Sequence, residues 1–265
     1  MPLPPYDGPD WYVSVEGSND NNGSNYYPFA TIQHAIDSSD SSDFIFVGPG
    51  TYVENIDISG RSISITSVDG PGSTIIDGNQ SGRVFTYDNP SSQEVVSHIE
   101  GFTVRNGSWT GSGAGLYVYF GEMHIQDMVF ESNQTSDVGG GAMIQNSYST
   151  MNNVVIKNNN AHQGAGLYLI DATVNVEGSE VTGNNSVHDG AGIYINSASL
   201  EIRSSVISNN TSENNGGAFL QSGNLTVSSC EIAYNSAGDM GAAFAIINHD
   251  TTNIVNCTIA ENSSG

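Results

Sequence analysis

A short phrase, made of small residues followed by an apolar pair, recurs through the second half of the chain. In GAGLY, GGAMI, GAGIY and their variants the first glycines are Gly113, Gly140, Gly164, Gly190, Gly216 and Gly241, spaced 24 to 27 residues apart. A repeat of this length is typical of solenoids, because each unit buries its apolar face only against its neighbours. The sequence therefore predicts one coil of a solenoid per repeat.

A second fixed point in each repeat is an asparagine that follows an apolar residue by three positions. The pairs are Val155/Asn158, Val181/Asn184, Val206/Asn209, Ile232/Asn235 and Ile259/Asn262, with Asn106 and the Ser132–Asn133 pair at the same point of earlier coils. Asparagine tolerates left-handed backbone, and stacked amides can bond to one another as a ladder. These positions are predicted to be corners.

Strands, rather than helices, join the predicted corners. LEIRSSVI at residues 200–207 and NLTVSSCEI at residues 224–232 mostly alternate apolar with small polar residues, which is a strand pattern. The repeats show no helical period and lack the Leu-x-x-Leu-x-Leu signature of leucine-rich repeats. The predicted fold is all-β: a parallel β-helix with coils of about 25 residues, equivalent residues stacking at the strand spacing.

Charge excludes several kinds of partner. The chain has 28 acidic and 5 basic residues and a formal charge of -23, so it should repel nucleic acid and anionic membrane surfaces. Solvation in salt explains this acidity more simply than a specific cation does. No apolar run approaches the roughly 20 residues that cross a bilayer. The start, MPLPPYDGPDW, lacks the basic region and the apolar core of an export signal, so any such signal is expected to have been removed or not to be part of this sequence.

The first 60 residues read differently from the repeats. WYVSVEGSNDNNGSNYYPFATIQHAID, followed by FIFVGPGTYVENIDI, resembles the N-terminal cap and first coils of right-handed parallel β-helix proteins of the pectin-lyase-like superfamily. Thr31 is expected to cap a helix that lays Ile32, Ala35 and Ile36 over the first coil. We therefore divide the chain into residues 1–43, a strand, loop and capping helix, and residues 44–265, the β-helix.

The later repeats also resemble those of chlamydial polymorphic membrane proteins, through GGAM at residues 140–143, GGAF at residues 216–219 and FESN at residues 130–133. Together the two resemblances cover nearly the whole chain. They imply a secreted or cell-surface protein, but the same fold carries lyases, hydrolases, epimerases, esterases, adhesins and passive stalks.

The last residues, CTIAENSSG, show no closing cap, and Gly265 stands where the next glycine phrase is due. This pattern indicates a β-helix truncated at its C-terminus. The last coil, with Phe244, Ile246, Ile254 and Ile259, is expected to be covered on one side only, and open strand edges invite pairing. Self-association or fraying at this end is therefore predicted.

The superfamily resemblance implies a lyase chemistry in which Arg or Lys removes a proton beside a uronate carboxylate, often with calcium. Arg105 and Lys157 hold equivalent corner positions two coils apart, roughly 10 Å by the strand spacing. They are weak catalytic candidates, because two basic side chains on a corner more often simply extend their charged ends into solvent. The run of Asp37, Asp40 and Asp43 is interpreted as a polar connection rather than a cation cage.

Histidines and tyrosines stack by alignment and form the candidate glycan site. His162 and His188 each lie two before a glycine phrase, with Asp189 beside the second, and Tyr168 and Tyr194 lie outward four after the glycine. Tyr117 matches them two coils earlier. Aromatic faces beside imidazole and carboxylate suit a sugar, although repeats stack like with like without any ligand.

A second histidine pair and the two cysteines are interpreted as structural residues rather than as parts of a functional site. His98 and His124 each precede an inward isoleucine. Cys230 and Cys257 fall at one position of adjacent coils, where a disulfide is allowed but not required. Stacked free thiols in the interior are the simpler interpretation.

The sequence leaves two classes of function open. The favoured hypothesis is an extracellular stalk, adhesin or glycan-binding segment that is not an enzyme. The alternative is a polysaccharide-active enzyme on acidic polysaccharide, a lyase before a hydrolase or epimerase. No metal site is expected from the residues, and calcium is the one cofactor left open.

Overall fold

Three parallel sheets run along the molecule, and successive coils add strands to each of them. A computed structural model describes residues 3–89, 95–248 and 251–265, and 32 strands in these ranges wind through about 8 turns. The described residues contain a single helix, and it is too short to cross a membrane. The predicted all-β parallel solenoid is confirmed.

The strands are numbered in chain order. The first sheet holds β1 (Asp10–Val13), β2 (Phe44–Val47), β4 (Ile56–Asp57), β5 (Ser64–Ser67), β7 (Phe85–Asp88), β8 (Val96–Glu100), β11 (Leu116–Tyr119), β12 (Glu122–Gln126), β15 (Ala142–Gln145), β16 (Tyr148–Asn152), β19 (Leu167–Ile170), β20 (Thr173–Glu177), β23 (Ile193–Arg203), β26 (Phe219–Ser228), β29 (Phe244–Ile246) and β30 (Thr252–Val255). The second sheet holds β3 (Gly50–Val53), β6 (Thr74–Asp77), β9 (Thr103–Arg105), β13 (Val129–Glu131), β17 (Val155–Lys157), β21 (Glu180–Thr182), β24 (Val206–Ser208), β27 (Glu231–Ala233) and β31 (Thr258–Ala260). The third sheet holds β10 (Ser108–Trp109), β14 (Gln134–Thr135), β18 (Asn160–Gln163), β22 (Asn185–Asp189), β25 (Thr211–Ser212), β28 (Ser236–Ala237) and β32 (Ser263–Ser264).

The core is built from columns of inward side chains, one from each coil. A column of the second sheet contains Ile76, Val104, Phe130, Ile156, Val181, Ile207 and Ile232, which are register partners and are all buried. Alternation along each strand sends these residues inward and their neighbours outward. Each apolar side chain is therefore covered by the coils on either side of it.

The corner between the second and third sheets contains two columns of stacked residues, which the sequence analysis treated as one. The first column has left-handed backbone, at Asn106, Ser132, Asn158, Gly183, Asn209, Tyr234 and Glu261. The second, one residue later, is the buried amide ladder of Asn133, Asn159, Asn184, Asn210, Asn235 and Asn262. The prediction of Asn158 and Asn209 as ladder members was wrong by one position: the ladder residues are Asn159 and Asn210.

Each ladder amide is saturated with hydrogen bonds. Asn184 Nδ2 donates to the Ile156 carbonyl and to Asn210 Oδ1, both at 2.9 Å. Its Oδ1 accepts from the backbone N–H and from Nδ2 of Asn159, both at 3.0 Å. Full satisfaction is what allows so polar a side chain to be buried completely.

The glycine turn before the first sheet is the other recurring corner. Gly113, Gly139, Gly164, Gly190, Gly216 and Gly241 all have positive φ, so the second copy of the phrase begins at Gly139 rather than at Gly140. A Cβ on Gly164 would lie 2.8 Å from Tyr168 Cδ2. Glycine is needed at this turn both for its backbone conformation and for the close approach of the outward aromatic side chain.

The N-terminal segment closes one end as expected. Helix α1 (Ile32–Ser38) begins after Thr31, whose hydroxyl accepts from the His34 N–H, and it buries Ile32, Ala35 and Ile36. The Glu54 carboxylate accepts the N–H groups of Ile32 and Gln33 at 2.9 Å each. β1 pairs with β2, so the first sheet continues into the N-terminal segment.

Other structural predictions can be located. Asp43 is buried and accepts from the Trp11 indole N–H at 2.7 Å, so it ties β1 to the residues just before β2. Cys230 and Cys257 are free thiols on adjacent coils, and burial raises the pKa of Cys230. Ile246, Ile254 and Ile259 of the last coil are exposed; self-association through this coil stays a prediction.

Candidate functional site

The two basic candidates lie at one position of the second sheet, with a carboxylate between them. The register pairs Arg105 with Glu131 and Glu131 with Lys157. Lys157 Nζ lies 3.0 Å from Glu131 Oε2, and Arg105 Nε lies 2.9 Å from Asp77 Oδ2. Each cation is already paired with a carboxylate of the preceding coil, so neither offers an unpaired charge to an anionic sugar.

Asp77 shows that the Arg105 pair is part of the scaffold. Burial alone would raise the pKa of Asp77, but bonds from the Asn79 N–H, Arg105 and Asn106 outweigh it and hold that pKa below its ordinary value. Asp77 Oδ2 accepts from both Arg105 and Asn106 at 2.9 Å. The ionised carboxylate thus fixes the corner of the following coil.

The histidine pair lies on β18 and β22 of the third sheet. The rings of His162 and His188 stack with centroids 5.2 Å apart, and His188 Nδ1 lies 2.6 Å from Asp189 Oδ2. Asp189 is buried, and its Oδ1 accepts from the backbone and side-chain N–H groups of Asn215 at 3.1 Å. Asp189 therefore orients an exposed imidazole and also anchors the next glycine turn.

The tyrosines stack on the first sheet as aligned, but they are less accessible than their outward position suggested. Tyr117, Met143, Tyr168 and Tyr194 are successive register partners, and the rings of Tyr168 and Tyr194 are 4.8 Å apart. Tyr168 is only 7 % exposed. Burial, followed by the nearby Tyr168 and Asp189, raises the pKa of Tyr194. The glycine turns cover much of these rings.

A cleft of about 550 Å³ lies on the outer face of the third sheet and was not foreseen from the sequence. It extends over four coils, and polar side chains follow one another along it. One column supplies the polar Ser108, Gln134, Asn160 and Asn185. The next supplies Thr110, Ser136 and His162 and ends at the apolar Val187. Of the predicted glycan residues His162 lines this cleft, whereas Tyr117, Tyr168 and Tyr194 do not.

Trp109 marks one end of the cleft. It is 42 % exposed, although its register partner Thr135 points inward and is buried. The guanidinium carbon of Arg83 lies 5.4 Å from the Trp109 ring centroid and 4.0 Å from that of Tyr117. Arg83 Nε also donates to the Ser112 carbonyl at 2.8 Å. Arg83 thus supports the indole through a cation–π contact.

The opposite end of the cleft is formed by a bulge in β22. Ala161 pairs with Ser186, but Gln163 pairs with Asp189, so this coil carries one extra residue. The bulge raises Val187 and His188 from the sheet, and both side chains are exposed. Bulges re-aim side chains in this way, and here the result is a bounded cleft.

A metal centre finds no support in the described ranges. No group of three or more His, Cys, Asp or Glu side chains there is placed to hold a metal ion. The idea that calcium assists at Arg105 or Lys157 therefore lacks an acidic ligand set, and calcium stays an untested expectation.

Solved structures share the fold at low identity. Pectate lyase Pel9A matches with a TM-score of 0.60 and 14% identity, over 99% of this chain and 79% of that one. The pectin methylesterase from Aspergillus niger, in deglycosylated form, gives 0.42 and 10%, over 98% of this chain and 88% of that one. XylC in complex with xylose gives 0.41 and 11%, over 92% and 69%. The likeness to Pel9A, at 14% identity, establishes the fold and nothing finer.

No curated protein sequence matches the chain, and the resemblance to chlamydial polymorphic membrane proteins stays a prediction. The family model described as "Right handed beta helix region" matches residues 89–259, which is well over half of the chain. With the parallel three-sheet solenoid and its stacked asparagine corner, this match shows that the chain belongs to the right-handed β-helix family.

Proposed function

We propose that this chain is an extracellular β-helix segment that binds a polysaccharide in the third-sheet cleft. The observation that carries the proposal is the cleft itself, in which four successive coils present hydroxyl and amide groups beside an exposed indole. A sugar chain has hydroxyls along its edges and apolar faces on its rings. Polar columns next to an aromatic surface complement both features.

The fold supports polysaccharide as the ligand class to test first, because Pel9A, which shares it, is a pectate lyase. His162 lies in the cleft, and His188 and Asp189 lie at its bulged end. Tyr117 contributes to the cleft indirectly, because its ring packs against Arg83, which in turn contacts Trp109. Tyr168 and Tyr194, one coil apart and largely covered by the glycine turns, are kept as the alternative binding site. A stalk or adhesin role would present such a cleft away from a cell surface.

The test is a glycan array followed by binding measurements on Trp109→Ala. Loss of one stacking face costs about 1 kcal/mol, or roughly fivefold in affinity. Tyr148→Ala is the matched control, because Tyr148 is also 42 % exposed and lies on the first sheet. Both variants should melt near the wild-type temperature. Binding that survives in Trp109→Ala but disappears in a Tyr168→Ala/Tyr194→Ala double variant would move the site to the tyrosines.

The enzyme alternative has a separate test. We expect the protein not to depolymerise pectate, alginate or chondroitin, since Arg105 and Lys157 are held by Asp77 and Glu131. A lyase would release an unsaturated product that absorbs in the ultraviolet. Appearance of that product, and its loss in Lys157→Ala or Arg105→Ala, would overturn the non-enzymatic proposal.

A further inference from the structure

We infer that the cleft selects an uncharged polysaccharide that lies parallel to the solenoid axis. This inference rests on the proposed function and goes further, because it names the class and the direction of the ligand. Acidic polysaccharide, the substrate class considered from the sequence, is thereby excluded from this site.

The first argument is charge. The chain carries a formal charge of -23, yet the described residues that line the cleft include no Asp, Glu, Lys or Arg. Carboxylates stand just outside it, at Asp137 beside Ser136 and at the exposed Glu213 of the following coil. A polyanionic sugar would enter a negative field without meeting a cation in the cleft, whereas a neutral sugar pays no such penalty.

Arg83 does not reverse this balance. It lies beyond Trp109, in a smaller cavity of about 210 Å³ that is also lined by Asp57. One guanidinium face is taken by the Tyr117 ring. Its charge lies against the Trp109 and Tyr117 rings and interacts with the Asp88 carboxylate, at the edge of the main cleft.

The second argument is the unused bonding capacity of the cleft. Among the described residues, the side-chain amides of Asn160 and Asn185 have no hydrogen-bond partner, whereas Gln134 Nε2 has only a long bond of 3.3 Å to Ser108 Oγ. An amide offers both donors and an acceptor. A sugar hydroxyl does the same, but a carboxylate only accepts, so a row of amides suits hydroxyls better.

The direction follows from the register. Ser108, Gln134, Asn160 and Asn185 are successive partners in the third sheet, so one polar group recurs at each step of about 4.8 Å. Trp109 and the β22 bulge bound a run of ~14 Å, three such steps. A linear chain that lies along this row meets an equivalent group at each coil, whereas a chain across it meets only one coil.

The experiment compares neutral xylo-oligosaccharides and cello-oligosaccharides with oligogalacturonates by isothermal titration calorimetry. At about 0.01 M ionic strength, where charges act over ~30 Å, we expect at least one neutral series to bind and the oligogalacturonates to bind at least tenfold more weakly. The affinity of the neutral series should rise with length and level off once the ligand spans four coils. Near 1 M salt, the tenfold gap should narrow, because the Debye length falls to ~3 Å.

A charge-insertion pair makes the test specific to the cleft. Gln134→Lys places a cation inside it, and Thr211→Lys places one on the same outward column of the third sheet, two coils beyond Asn160 and outside the lining. This pair is measured at about 0.15 M ionic strength, where the Debye length is ~8 Å. We expect Gln134→Lys to raise oligogalacturonate affinity severalfold there and Thr211→Lys to leave it within twofold.

The outcomes separate the two proposals. Oligogalacturonates that bind as tightly as the neutral series, with sensitivity to Trp109→Ala, would overturn the selectivity and leave the proposed function standing. Equal effects of Gln134→Lys and Thr211→Lys would overturn both proposals, because the ligand would then not lie in the cleft. If none of these probes and no glycan on the array binds, both proposals fail.

Discussion

Asn159 and Asn160 are neighbours with identical side chains, and the same contrast recurs one coil later at Asn184 and Asn185. The first of each pair is buried and uses every hydrogen-bonding group of its amide inside the corner. The second points outward into the cleft. Successive side chains point to opposite faces of a strand. A shift of one residue therefore separates an amide that holds the corner together from an amide that is free to bind a ligand.

Removing a buried ladder amide should give the largest effect on stability. Asn184→Ala removes the acceptor of two Asn159 N–H groups and the donor to Ile156 and Asn210. Buried groups left unpaired cost about 1–3 kcal/mol each, so we expect a loss on the order of 3 kcal/mol in chemical denaturation. Asn185→Ala should stay within about 0.5 kcal/mol. Similar losses for the two variants would show that the contrast is not energetic.

Tyr168 extends the contrast from amides to aromatic rings. Because it is 7 % exposed and stacked on Tyr194, we expect Tyr168→Ala to lower the free energy of unfolding by about 2 kcal/mol. Tyr26, which is 90 % exposed, serves as control, and Tyr26→Ala should leave stability nearly unchanged. A neutral Tyr168→Ala that nonetheless loses glycan binding would instead support the original tyrosine site.

The smallest effect is expected at a charged corner. The folded-state pKa of Asp77 is lowered, so its ionised form stabilises the fold above the unfolded value of about 3.9, and this contribution is lost as pH falls through the folded pKa. The stability gap between wild type and Asp77→Asn, about 1 kcal/mol at neutral pH, should therefore close in acid. Exposed Asp69→Asn is the control, and a gap that is constant with pH would contradict the assignment.

The sequence predicted the coils because glycine turns and apolar strands repeat along it. It could not fix the ladder, since runs such as Asn158–Asn159–Asn160 offer an asparagine at each of three successive positions. Only the register shows that Ile156, not Val155, points inward, and that Asn159 is therefore the buried member. A one-residue slip exchanges the two faces of a strand.

The candidate site was harder to predict, for a different reason. Alignment of repeats draws attention to residues that recur, such as Tyr168 and Tyr194, and these recurring rings are the ones that neighbouring turns cover. By contrast, no other coil has a tryptophan at the repeat position of Trp109, and the β22 bulge interrupts the repeat. The signal available in the sequence was the departure from the pattern: a tryptophan in place of Thr135, Ala161 and Ser186.

The asparagine ladder also determines how the length of such a chain can change. Every rung donates toward the higher-numbered coil, over separations of 25 to 27 residues, so all the rungs are interchangeable in role and direction. Excision of residues 160–184 would let Asn159 meet Asn210 with the ladder unbroken. The spread from 25 to 27 residues shows that turns and bulges absorb one or two residues within a coil, as the β22 bulge does. Larger changes in length keep the ladder only in whole coils, and the cleft then gains or loses one polar rung at a time.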